Sequence, residues 1–152
     1  MTIFELTVLF ISFSSGTEQD LIAERAPNVA LAAVKAVEKI GPVFSGPNGI
    51  AYTEELLMRM AYLESRGNHK ALNKQGDSGI LQVNGLTDAE RLLVLSSPLE
   101  GMMMGLKRLH AAKKACGGNA LRWLGAYASG TCGGAPQVAR ERCRTLGLCM
   151  KS

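Results

Sequence analysis

The 152-residue chain is poor in aromatic residues, with four Phe, three Tyr and one Trp making up 5% of it. Its core must therefore rest on Leu, Ile, Val, Met and Ala. There are two histidines, His69 and His110. Neither has a triad partner nearby in sequence, so nothing supports a histidine-based nucleophile relay. No cysteine precedes Cys116, and Cys116, Cys132, Cys143 and Cys149 form no C-x-x-C pair and have no His partner at metal-ligand spacing. That pattern speaks against zinc, and no other metal or cofactor is expected. The Gly117-Gly118 and Gly133-Gly134 pairs lack the Lys and the strand context of a phosphate loop. No Lys/Arg run interleaves with aromatics, so nucleic acid is not expected as a partner. Internal repeats and low-complexity segments are absent too.

What remains is an ordinary globular composition, 47% apolar and 20% charged. At this length one domain suffices, burying roughly two thirds of its unfolded surface. The charge is uneven. Residues 1–65 hold 8 acidic and 4 basic side chains, giving −4, whereas residues 66–152 hold 5 acidic and 13 basic, giving +8. A basic half suits an anionic polymer such as bacterial cell wall or a membrane surface, and a solvated helical face accounts for it equally well. All four cysteines fall in the last 37 residues. They suggest two disulfides, in any of three connectivities, and a periplasmic or extracellular destination. Four reduced thiols in a cytosolic protein are the alternative. Ile3 to Phe13 has the length of a signal-peptide core, but it contains Glu5 and no Lys or Arg precedes it. It is too short for a comfortable membrane span. Residues 1–16 thus read as a degenerate export signal or as a buried first element, and residues 17–152 as a single domain.

Periodicity and capping signals predict a mostly helical chain. Thr17-x-x-Asp20 opens a helix to about Arg25, and Pro27 starts a second, with Leu31, Val34, Val37 and Ile40 on one face until Gly41-Pro42. Thr53 caps a third, with Glu54 and Glu55 in its first turn and Leu56, Met60 and Leu63 along its stripe. Gly67-Asn68 ends it, which leaves Glu64 in the last turn. Gly76-Asp77 marks a tight turn, followed by a short extended stretch from Gly79 to Asn84. Thr87-x-x-Glu90 and Ser97-Pro98-x-Glu100 are capping boxes for helices near 88–95 and 98–114. Helices over 120–129 and from Pro136 to Leu146 complete the chain. On this reading Met102-Met103-Met104 and Trp123 belong to the core.

A Glu in the last turn of a helix is ordinarily a solvated surface residue. Glu64 differs in its setting. Its flanks are apolar, Ser65 stands beside it, and the downstream Asp77-x-Gly79-x-x-Gln82-x-Asn84 run puts polar groups where an apolar strand would be expected. A carboxyl in a partly apolar cleft keeps its proton more readily, and a protonated acid is what cleavage of a glycosidic bond requires.

Four segments occur in order: Ala61-Tyr62-Leu63-Glu64-Ser65, Ala71-x-Asn73, Asp77-Ser78-Gly79-Ile80-Leu81-Gln82-Val83-Asn84 and Gly125-Ala126-Tyr127-Ala128-x-Gly130. Together they resemble the lytic transglycosylases of the lysozyme-like superfamily, chiefly the small ones that accompany secretion systems, pili or phage particles. The resemblance covers roughly residues 50–130. It implies a mainly α, lysozyme-like fold with a very small β-hairpin or turn element. It also implies that Glu64 protonates the oxygen between N-acetylmuramic acid and N-acetylglucosamine and then acts as base. The sugar's own 6-hydroxyl would attack, leaving a 1,6-anhydro end. By the same resemblance Gln82 and Asn84 lie near the sugar, Ser65 and Ser78 bond its acetamido or hydroxyl groups, and Tyr127 reaches toward Glu64. The family usually has Asn after that Tyr, and Ala128 stands here instead. The implied partners are peptidoglycan glycan strands, with a place in a larger secretion or phage assembly left open. A monomer is expected, located in the periplasm, outside the cell or on a virion.

Two other readings remain. Asp77-Ser78-Gly79-Ile80-Leu81-Gln82-Val83-Asn84 also resembles the second-carboxylate segment of animal c-type lysozymes, so Asp77 paired with Glu64 would make a hydrolase. The segment between the two acids is short for a full β-lobe, and a turn role for Asp77 is favoured. The second reading is a non-catalytic wall-binding module, against which the presence of Glu64 argues.

Overall fold

The structure, a computed structural model, describes residues 1–143. Its described residues form seven α-helices and no sheet: α1 (Ile3–Ser12), α2 (Gln19–Ile40), α3 (Gly49–Ser65), α4 (Asp88–Ser96), α5 (Pro98–Cys116), α6 (Ala120–Ser129) and α7 (Pro136–Cys143). The mainly α class expected from the sequence is the class observed. The continuation of the last helix to Leu146 falls outside the described residues.

α1 begins at a complete capping box, with Thr2 accepting from the Glu5 N–H and Glu5 accepting from the Thr2 N–H. It packs on α2 and α3 through Leu6 and Phe10, both fully buried. The predicted break at Pro27 does not occur, and α2 runs through it. Proline removes one helical donor and leaves the carbonyl four residues back without its partner. Pro27 and Ala23 are both exposed here, so water can take the freed group.

The buried face of α2 also differs from the predicted stripe. Ile22, Ala26, Val29, Ala30, Ala33, Ala36 and Val37 are buried, while Leu31 is 38% exposed. The pattern has a steric origin. A face of alanines lets α2 lie close to α5, and the larger aliphatics at 31, 34 and 40 fall to its flanks. Around this pair, α3 packs on α2, α6 on α5, and α7 on both α6 and α3.

The third helix starts at Gly49, four residues before the predicted cap. Thr53 is buried inside it and has a different task. Its hydroxyl donates to the Gly49 carbonyl at 2.7 Å and accepts from the Val43 and Phe44 N–H groups at 3.0 and 3.3 Å. A caplike side chain thus satisfies the loop that precedes the helix instead of the helix itself.

Residues 79–84 are not extended either. Gly79 to Gln82 form a turn closed by reciprocal Ser78–Val83 backbone bonds of 3.0 Å, and isolated bridges at Leu72–Ser78 and Ser78–Val83 stand in for a sheet. Without a neighbouring strand to pair with, the segment meets its hydrogen bonds internally. A single disulfide between described cysteines, Cys116–Cys132, ties the end of α5 to the loop after α6. Cys143 is also disulfide-bonded, and Cys149 lies outside the described residues.

Candidate active site

The end of α3 is held firmly. Arg66 adopts a left-handed conformation (φ 54°), its N–H bonds the Tyr62 carbonyl at 3.0 Å, and the Gly67 N–H reaches Ala61 at 3.1 Å. Gly67 (φ 77°) lies against Phe10, and a Cβ there would sit 2.9 Å from the Phe10 ring. The Arg66 side chain pairs with Glu18 at 2.7 Å and lies over the Tyr62 ring, whose hydroxyl donates to the same carboxylate at 3.0 Å. The helix must stop here, which leaves the Glu64 side chain 22% exposed in the last turn.

The polar loop opposite is built as a rigid plug. Asn73 Oδ1 accepts from the Gln75 and Asp77 N–H groups at 2.9 Å, and its Nδ2 donates to Asp77 Oδ2 at 2.7 Å. Asp77 is thereby folded onto its own turn. Ile80 and Leu81 are fully buried against α5, where Gly105 makes room; a Cβ there would lie 2.3 Å from Leu81 Cδ1. Ser78 is fully buried, and its hydroxyl donates to the Gly76 carbonyl at 2.8 Å. Gln82 takes a left-handed conformation (φ 48°) and donates from Nε2 to the Ala71 and Gly79 carbonyls at 3.1 and 2.9 Å. Asn84 is exposed.

Two hydrogen bonds tie loop and helices together. Ser65 Oγ donates to the Ile80 carbonyl at 2.7 Å, joining α3 to the loop, and Tyr127 Oη donates to the Leu81 carbonyl at 3.1 Å, joining α6 to it. Burial pushes the Tyr127 phenol well above its ordinary range, with Asp77 acting in the same direction and Arg108 against it. It is a neutral donor at every pH at which the fold would be studied.

The predicted site residues divide between two hollows. Glu64 lines one of about 310 Å³ with Leu63, Gln137, Val138, Glu141 and Arg142. Gln82, Asn84 and Tyr127 line another of about 210 Å³ with Arg108. Ser65, Asp77 and Ser78 line neither and instead hold the loop and helix end in place. A larger hollow of about 520 Å³, between α2 and the loop after α3, contains none of the predicted residues.

Arg142 of α7 lines the Glu64 hollow and also touches Tyr127, which lines the other. Its side chain is 5% exposed, its Nη2 bonds Glu64 Oε1, and its guanidinium lies over the Tyr127 ring at 5.4 Å. Burial brings its pKa down to about 10, so it remains a cation at neutral pH. The sequence reading missed Arg142, Glu141 and Arg108. The signal available was the excess of basic residues after position 65, which does not single out one arginine.

Residues 48–142 match the transglycosylase SLT domain family. That span is well over half of the chain and runs from the start of α3 to Arg142. The chain belongs to this family. It is a peptidoglycan lytic transglycosylase of the lysozyme-like superfamily, and peptidoglycan is its substrate. No curated protein and no solved structure matched the chain. α1 and α2 lie outside the matched span, yet α2 carries the face on which α3 and α5 pack. No helix among the described residues is long and apolar enough to cross a membrane.

Proposed function

We propose that Glu64 is the single general acid/base with which this transglycosylase cleaves the β-1,4 bond between N-acetylmuramic acid and N-acetylglucosamine. The observation that carries the reading is the placement of Glu64. It is a partly exposed carboxyl at a fixed helix end, within the family-matched span, lining a hollow between α3 and α7, and its neighbour Ser65 is bonded to the polar loop. Its proton goes to the bridging oxygen as the bond from C1 breaks. The 6-hydroxyl oxygen then bonds C1 and returns a proton to the carboxylate, leaving a 1,6-anhydro end.

Gln82 and Asn84, beside Tyr127, supply polar contacts to the neighbouring sugars. Ser65, Asp77 and Ser78 shape the walls. The bond from Asn73 to Asp77 and the absence of Asp77 from the Glu64 hollow speak against a hydrolytic pair of Glu64 with Asp77. A substrate that is cell wall places the enzyme in the periplasm or outside the cell, where disulfides persist.

Product analysis tests the reading. Mass spectrometry of digested peptidoglycan should show anhydro-muramic ends, and Glu64→Gln should lower lysis by at least a thousandfold with an unchanged circular dichroism spectrum. Reducing ends in place of anhydro ends would identify a hydrolase, and full activity in the Gln variant would remove Glu64 from the chemistry.

A further inference from the structure

Arg142 is expensive to keep where it is. A guanidinium with 5% exposure has lost its water, and its Nε and Nη1 have no hydrogen-bond partner among the described residues. Buried donors left unmatched destabilise a fold, so the arrangement is a poor way to gain stability. Among the described residues, the Arg142 side chain bonds the Glu64 carboxylate and lies over the Tyr127 ring, both of them predicted site residues.

A cation bonded to a carboxylate favours its charged form. Glu64 has to be protonated before cleavage, becomes a carboxylate once its proton has left, and is protonated again at the end. Accepting the assignment of Glu64 above, we propose that Arg142 is the positioning residue that sets this charge balance. It holds the free enzyme's Glu64 as a carboxylate and stabilises the carboxylate that appears between the two proton transfers. Arg142 gives up no proton itself. Its effect is to make the acid stronger and less populated, which fixes the pH above which lysis fails.

Among the described residues, the other charged groups near Glu64 do not reproduce this. Glu141 of α7 lines the same hollow and has the opposite charge. Tyr127 of α6, beneath the guanidinium, stays neutral. Arg108 of α5 and Asp77 of the loop bear on Tyr127, and neither lines the Glu64 hollow.

The test is the rate of lysis of purified peptidoglycan against pH for the wild-type protein, Arg142→Gln, Arg142→Lys and Glu64→Gln. The substrate's own titration cancels between variants assayed side by side. Arg142→Gln should move the alkaline midpoint upward by about one pH unit or more, the size expected when an opposite charge at contact distance is removed. Arg142→Lys, which keeps the charge, should stay near the wild-type midpoint. An unmoved midpoint in the Gln variant overturns the inference, as does an equal shift in both variants, because shape and not charge would then be responsible. Lysis by Glu64→Gln at the wild-type rate would instead sink the assignment of Glu64. If Arg142→Gln does not fold, carboxyl carbon NMR of the wild-type protein, assigned against Glu64→Gln, decides the matter. A Glu64 midpoint below that of an ordinary glutamate supports the inference, and one at or above it overturns it.

Discussion

Tyr127 serves two unlike neighbours at once: its hydroxyl donates to the Leu81 carbonyl, and its ring carries the Arg142 guanidinium. Replacing it with Phe keeps the ring and removes the donor, leaving a carbonyl of the buried Leu81 unmatched. Tyr127→Phe should therefore cost about 1 kcal/mol, read from the urea midpoint, and reduce lysis far less than Glu64→Gln does. A loss of lysis as deep as that of the Gln variant would mean that the hydroxyl itself meets the substrate. At this scale the sequence was informative about Glu64, because helix termination and the polar run after it are local signals. It said nothing particular about Arg142, 78 residues away, because only packing of α7 on α3 and α6 brings the two side chains together.

Among the elements, helix starts with a side-chain acceptor were the most legible. Thr87, Ser97 and Asn119 accept from the Glu90, Glu100 and Arg122 N–H groups, so α4, α5 and α6 begin where capping chemistry places them. Thr87→Ala should lower stability by about 1 kcal/mol, measured by chemical denaturation near neutral pH. The Glu5 and Glu90 carboxyls are held below the ordinary glutamate range, first by the backbone N–H groups of Thr2 and Thr87. A carboxyl with a lowered folded value stabilises the fold above its unfolded value and loses that contribution as the pH falls through the folded one. Helices α1 and α4 should accordingly loosen first on acidification, which amide hydrogen exchange below pH 4.5 would reveal. Where prediction failed, a second partner had intervened. Thr53 was claimed by the loop at Val43 and Phe44, and Pro27 was tolerated because its side of α2 faces water.

For the molecule as a whole, the scarcity of aromatics is met by an aliphatic core. Trp123 is the largest side chain in it, packed on Phe44 at 5.6 Å between ring centres. The uneven charge is partly resolved by ion pairs that cross between the two halves, Arg66 with Glu18 and Arg142 with Glu64. The Cys116–Cys132 bridge closes a loop around α6, the helix that carries Tyr127. A paired Cys116→Ser and Cys132→Ser variant should lose about 3 kcal/mol of unfolding free energy, the entropy expected for a loop of this length. Thermal and urea unfolding would measure it without reducing the bond at Cys143. By itself the sequence determined the helical class, most helix ends, the family and the place of Glu64 in the last turn of α3, since these follow from periodicity, capping and short-range motifs. Only the tertiary structure decided that residues 79–84 form a turn and not a strand, that α2 presents its alanines, and that Arg142 rests on Glu64. Each of these depends on what a distant segment places alongside, and a one-dimensional pattern does not record it.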